Sequence, residues 1–494
     1  MKPAHCLTLI IAAASLSLNA CQSTSSGEQT PVSAVQNTMN TDFSLPEIPP
    51  AKLFQHATPE IFKLDNGMDV WYVHNPLIPL MSLKVVFTQG ASIDPADKSG
   101  RSSMTAILLK EGANGKSAQQ ISNEIEFIGA TLSPAITQDA ASITLQSMTQ
   151  FFEQGLDILA DIWLKPSFEQ SAFDRIQKIV LNGLKQREDA PTAIAKLASN
   201  RDYFGEDHPY ARSADGYIDT ISGMSLKDIQ EAYQQIFTPS RAAFIAVGNI
   251  PADELKKMLN SRFGSLNITP VADEMPKPEV PAPVRRLTIV DKPNAPQTVI
   301  RIYQPAIVAT SLKTLPWQFI NIPFGGSFTS RLMQNIREDK GYSYGANAVV
   351  ASQKFAGVLL STSQVATEVT GAALKEFLYE LDRLPKGDFT QEEFERARET
   401  WKSELVQSFE TQSGVLATIS SLYLNQKPVD AINAFARSLD SFTLEQFNEI
   451  AREFPTIDQI SITLVGDKNT ILEQIKDMAL PQPTFRDLEG KIIP

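Results

Sequence analysis

The chain has 494 residues, of which 43% are hydrophobic and 20% charged, with a formal net charge of −12. That length exceeds what one hydrophobic core serves and points to two or more domains. The acidic balance argues against a nucleic-acid partner, because phosphate binding needs a basic footprint that this sequence lacks.

The first residues do not read as fold. Lys2 gives a positive start, and Leu7–Leu18 is an apolar run shorter than the roughly 20 residues that span a bilayer. Residues 1–20 are therefore expected to be a secretory signal peptide. The run ends in Leu18-Asn19-Ala20-Cys21, which resembles the lipobox of bacterial lipoproteins. The resemblance implies an acylated Cys21 at the new N-terminus, and Gln22 after it leans towards the outer membrane. Residues 21–52 are polar without a sustained apolar period and read as a flexible tether. The expected location is the bacterial periplasm, with the membrane engaged through the lipid anchor alone. Cys6 and Cys21 are the only cysteines, so the mature chain would have no internal disulfide.

The remainder is written twice. FEQSAFDRIQ at Phe168 returns as FTQEEFERAR at Phe389, an offset of 221 (168 to 389). SLKDIQEAY at Ser225 returns as TLEQFNEIA at Thr443, an offset of 218 (225 to 443), and Val247-Gly248 returns as Val465-Gly466 at the same offset. Ser225 with Asp228, and Thr443 with Gln446, carry the capping pattern of a helix start. Agreement at nearly one offset indicates a duplicated domain.

In each half, strands and helices segregate without regular alternation. In the first half, Asp65-Asn66-Gly67 predicts a turn between apolar runs, LMSLKVVFTQGAS predicts a strand, and helices are predicted near 100–111, 117–128, 151–164 and 169–187. In the second half, strands are predicted at RRLTIVDK and QTVIRIYQP, with helices near 312–322, 327–340, 367–384 and 390–410. The fold class is α+β: two homologous α/β-sandwich lobes at 53–266 and 286–480, a proline-rich linker at 267–285 and a tail at 481–494.

Two motif regions carry a family resemblance. The first is GRSSMTAILLKEG, Gly100 to Gly112. With the lobe pair and linker, it resembles the M16 metallopeptidases, the family of pitrilysin, insulin-degrading enzyme and the mitochondrial processing peptidase. Active members place His-x-x-Glu-His here, so that two histidines on one helix face hold Zn²⁺ and the glutamate activates water. In this chain those positions are Ser103, Ala106 and Ile107, none of which ligates zinc or accepts a proton at neutral pH. The region where a distal glutamate ligand is expected, IQKIVLNGLKQ, offers Asn182 and Gly183. The four histidines are His5, His56, His74 and His208, and no two stand at helical zinc spacing. The last three are expected at the surface or at strand ends. No metal is expected on this chain.

The second region is GGSFTSRLMQNIREDKGYSYGANA, Gly325 to Ala348. Phe328, Leu332 and Ile336 predict one buried helix stripe, Gly341 its end, and Tyr342–Val350 a strand. The family carries an arginine and a tyrosine seven positions apart in this lobe, and Arg337 with Tyr344 occupies that pattern. The resemblance implies that the pair holds the substrate carbonyl and stabilises the developing oxyanion. The residues alone also fit a solvated charged face at Arg337-Glu338-Asp339 and a core tyrosine. Arg331 is an alternative arginine without the spacing.

The resemblance implies a zinc-less subunit of a metalloendopeptidase heterodimer, inactive alone. An HxxEH-bearing M16 partner would bring the zinc, and this chain would help bind a peptide or unfolded substrate. The alternative is a catalytically inactive structural or chaperone-like peptide-binding lipoprotein. An independent serine hydrolase built on Ser102 or Ser103 lacks both the Gly-x-Ser-x-Gly elbow and a nearby histidine.

Overall fold

The computed structural model describes residues 55–269 and 278–493. The signal peptide, Cys21, the tether and residues 270–277 of the linker lie outside the described residues.

The first half opens with β1 (Glu60–Lys63) and β2 (Asp69–His74), joined through the predicted turn at Asp65–Gly67, and continues with β3 (Leu80–Phe87). Helix α1 (Arg101–Leu108), the short pair β4 (Gly112–Ala113) and β5 (Lys116–Ser117), and α2 (Ala118–Phe127) lead to the hairpin β6 (Thr131–Ile136) and β7 (Ala141–Met148). Five helices follow: α3 (Phe152–Leu164), α4 (Gln170–Arg187), α5 (Pro191–Phe204), α6 (Ile218–Ser222) and α7 (Leu226–Ile236). β8 (Ala242–Gly248) and α8 (Ala252–Phe263) close this half.

The second half contains β9 (Arg286–Asp291), β10 (Gln297–Ala306), α9 (Thr314–Asn321), the single turn α10 (Arg331–Met333), β11 (Ser343–Ser352) and β12 (Gly357–Ala366). Helices α11 (Thr370–Arg383), α12 (Gln391–Glu410), α13 (Gln412–Leu424), α14 (Ala431–Ser438) and α15 (Leu444–Ala451) precede β13 (Ser461–Gly466), α16 (Lys468–Ile475) and β14 (Thr484–Arg486). Among the described residues no helix is long and apolar enough to cross a membrane.

Each half builds one six-stranded sheet, in the orders β1-β2-β8-β3-β7-β6 and β11-β12-β10-β13-β9-β14. Five strands correspond. β2 and β8 are parallel, as are β9 and β13; every other pairing in the two five-strand cores is antiparallel. Only the outermost strand differs, because β1 runs antiparallel to β2 while β14 runs parallel to β9. The capping boxes expected at Ser225 and Thr443 both form.

The sheets are covered on both faces, which is why β3 is buried almost continuously instead of at alternate positions. Met81, Leu83, Val85 and Phe87 face the helices of their own half. The opposite face carries Ser82, Lys84 and Val86, and here the cover comes from the other half. Val86, Ala243, Ile245 and Val247 pack in one cluster with Val415, Leu416, Ile419 and Leu422 of α13. Reciprocally, Ile194, Ala195 and Ala198 of α5 pack on Val290, Val299 and Val465 of the second sheet. Each such buried aliphatic contributes about 1.5–3 kcal/mol. The exchange obeys the repeat: α5 starts at Pro191 and α13 at Gln412, an offset of 221 (191 to 412). The two halves therefore do not face each other across an open cleft.

One predicted helix is corrected. Over 327–340 only Arg331–Met333 winds as α, followed by a π-helical turn at Gln334–Asp339. Ser330 caps the start by accepting from Met333 N–H, which puts Phe328 before the helix. Leu332 and Ile336 are fully buried, but Phe328 is 60% exposed.

Candidate functional site

The segment from Ser330 to Ser352 places the predicted arginine and tyrosine. Leu332 and Ile336 anchor the helical turn in the second core. Gly341 ends it at φ +64, a left-handed conformation that a side chain would strain. Tyr342 N–H then bonds back to Ile336 carbonyl at 3.0 Å, and the chain enters β11 at the edge of the sheet.

The register of β11 against β12 shifts between Ser343 and Ala346, so Tyr344 and Gly345 form a bulge. Serine hydroxyls fasten it. Ser343 Oγ accepts from Gly345 N–H at 3.0 Å and lies 2.8 Å from Gln364 carbonyl, and Ser363 Oγ donates to Gly345 carbonyl at 2.7 Å. A bulge redirects the side chain it carries. Tyr344 is 93% exposed, and no hydrogen bond ties its hydroxyl to the described residues. It is not core.

Arg337 lies on the π-helical turn, half-buried, with its guanidinium 4.6 Å from the centre of the exposed Phe328 ring and a loose pairing to Glu338 at 3.4 Å. π-turns recur at functional sites. No hydrogen bond, ion pair or ring contact among the described residues joins Arg337 to Tyr344, or either to α1. Arg331 has a different task. It is buried, 4.1 Å from the Phe389 ring centre, and holds Asp388 and Glu393, each at 2.5 Å. Burial alone would raise both carboxyls, but the Arg331 guanidinium outweighs it and keeps them below the usual range.

The three positions expected to correspond to the zinc motif lie on α1. Ser103 Oγ donates to Ala214 carbonyl at 2.7 Å, Ala106 is buried, and Ile107 is 41% exposed. Gly100, at φ +93, precedes the helix, and a Cβ there would stand 2.8 Å from Gly216 Cα. Asn182 and Gly183 lie on the exposed face of α4. A committed hydroxyl, a methyl and a butyl group give no donor set for zinc, so the chemistry of the family's metal does not fit these residues.

Two histidines correct the sequence reading. His74 is exposed at a strand end, but His56 and His208 are buried. His208 stacks on Phe204 at 5.0 Å, and its Nδ1 accepts from Tyr210 N–H at 3.0 Å. Burial, helped by the Arg212 charge, lowers its pKa to about 4, so the ring is neutral.

Sequence reasoning missed two groups. Asp94 is 2% exposed and anchors α1 by accepting from Ser102 N–H at 3.2 Å, from the Ser102 hydroxyl and from Arg101 Nε at 3.3 Å. Lys84 interrupts an otherwise uncharged strand of eight residues, and that lone charge was the available signal. It lines a cavity of about 710 Å³ between the first sheet and α13.

Known proteins place the chain. The family description "Peptidase M16 inactive domain" matches residues 223–400, and "Insulinase (Peptidase family M16)" matches residues 69–210. "Non-peptidase homolog YmxG" of Helicobacter pylori is 22% identical over 407 residues, covering 81% of this chain and 92% of that protein. "Uncharacterized zinc protease YmxG" of Bacillus subtilis is 22% identical over 397 residues, covering 80% of this chain and 96% of its own. The crystal structure of a peptidase M16 inactive domain from Pseudomonas fluorescens superposes with a TM-score of 0.78 at 21% identity, over 83% of this chain and 98% of that one. That last likeness shows the fold, and the two family matches together span well over half the chain. The chain belongs to the M16 peptidase family.

Proposed function

We propose that this chain is the zinc-less half of a paired M16 peptidase, supplying Arg337 and Tyr344 to a substrate held against an HxxEH-bearing partner. The observation that carries the reading is Tyr344: a tyrosine 93% exposed on a serine-fastened bulge, its hydroxyl without a hydrogen bond among the described residues. A fold gains little stability from such an arrangement. A phenol hydroxyl and a guanidinium in solvent suit a carbonyl oxygen that becomes an oxyanion.

Substrate would add as an extended strand to β11. That edge strand has ten residues and no charged side chain. The equivalent edge of the first sheet, β6, carries Pro134, which has no N–H to offer. The partner's zinc would provide the Lewis acid. We further propose that Cys21 is lipidated and that the pair works at the periplasmic face of the outer membrane.

The test mixes the purified chain with a zinc-bearing M16 chain from the same cells and follows peptide cleavage. The chain alone should cleave nothing, and the mixture should. Arg337→Ala and Tyr344→Phe should each lower turnover about 10²-fold, the scale of one oxyanion-holding group, without preventing association. Unchanged turnover in both variants would leave a structural or chaperone-like peptide binder.

A further inference from the structure

Positive charge predominates in the lining of the cavity beneath α13, where Lys84, Lys354 and Lys427 stand against Asp139. Lys84 enters it from the middle of β3, between Ser82, which donates to Gln412 Oε1 at 3.1 Å, and Val86, which packs in the inter-half core. The Lys84 ammonium has no hydrogen bond or ion pair among the described residues. Lys427 stands in the wall formed after α13, and its partners among the described residues are neutral: the Ser311 carbonyl and Thr314 Oγ1 at 2.9 Å. Burial pushes both lysines below the ordinary ammonium range.

The lining holds one acid, Asp139, and it makes no ion pair with either lysine among the described residues. Its Oδ1 takes the Tyr210 hydroxyl and its Oδ2 takes Lys354 N–H at 3.0 Å. Burial raises its pKa, against the lowering effect of these two hydrogen bonds. In the neighbouring cavity of about 780 Å³, which shares Lys427, Asp430 pairs with Arg437 at 3.7 Å. Both lysines are half-buried, and a partly dehydrated ammonium with no ion pair of its own favours an anion beside it. The rest of the lining includes hydroxyls and amides (Ser420, Ser421, Asn425) and the edge-to-face pair Trp71–Tyr423. About 710 Å³ of mixed polar and aromatic lining suits a small ligand.

We propose that this cavity binds a small organic carboxylate, with Lys84 and Lys427 as its counter-charges. The inference needs only this chain and is independent of any zinc-bearing partner. Two sources offer the same chemistry: the C-terminal carboxylate of a short peptide, and a free organic acid.

Titration calorimetry on the full chain separates them. The probes are acetyl-Ala-Ala-Ala as free acid, the same tripeptide as its C-terminal amide, succinate, and inorganic phosphate. The free-acid tripeptide should bind, and the amide should bind at least about tenfold more weakly. Succinate binding as tightly as the tripeptide acid supports the site with a free acid as its natural source. Lys84→Met should abolish this binding, and Lys427→Gln should weaken it at least about tenfold. The proposal is overturned by no binding of either carboxylate, by tighter binding of phosphate, or by Lys84→Met affinity within about twofold of the parent.

Discussion

Asp202 Oδ1 accepts a hydrogen bond from the Thr288 hydroxyl at 2.9 Å, joining the end of α5 to the second sheet. Its other oxygen takes the Ser461 hydroxyl, and its carbonyl takes Arg286 Nη1 at 2.7 Å. Thr288 and Ser461 are both buried, so loss of the carboxylate strands two hydroxyls. Asp202→Ala should lower unfolding free energy by about 2–4 kcal/mol. Urea denaturation checks this, and a loss under about 0.5 kcal/mol would show that the contact does not fasten the halves.

The two arginines of the second motif should separate stability from activity. Arg331→Ala leaves the largely buried Glu393 without its guanidinium, while Asp388 keeps Arg383, and should cost about 2–3 kcal/mol. Arg337→Ala and Tyr344→Ala, at exposed or half-buried positions, should stay within about 0.5 kcal/mol of the parent. Thermal denaturation of the three variants provides the comparison. Strong destabilisation by Tyr344→Ala would contradict its free placement.

His208 predicts an acid-labile contribution. Its folded pKa of about 4 lies below the unfolded value near 6.5, so the unfolded chain binds the extra proton first. Stability from this group is flat above about pH 6.5 and is lost as pH falls towards 4. The loss is on the order of 2–3 kcal/mol. His208→Asn retains an acceptor for Tyr210 N–H and should flatten this part of the pH profile. Denaturation midpoints of parent and variant between pH 4 and 8 decide it; parallel profiles would reject the assignment.

Restoring the histidines alone should not restore the metal. Ser103→His/Ile107→His places two ligands one helical turn apart, but α4 still presents Asn182 and Gly183 where a third would be needed. Zinc retained after dialysis should stay well below one equivalent per chain, measured by atomic absorption. The double variant should also be less stable, because Ser103 Oγ gives up its bond to Ala214 carbonyl.

Much of this was legible in the sequence because it is periodic or local. The repeat at Phe168 and Phe389 and the capping boxes at Ser225 and Thr443 each depend on residues close in the chain. The exchange of α5 and α13 was not legible, since an apolar helix face does not say which sheet it will cover. The burial of His56 and His208 escaped for a similar reason: His56 is bonded to Asn433 by contacts that span 377 residues. The bulge at Tyr344 depends on hydroxyls from two strands, and Ser363 gives no local sign of its role.

The crossed helices have a mechanical corollary. Each part of the polypeptide keeps a piece of its neighbour's interior, so the proline-bearing connector is not what keeps the two together. A protease nick there should be silent: both fragments should co-elute and melt as one body. Clam-like breathing about that connector would have to tear apolar surface apart on two sides at once.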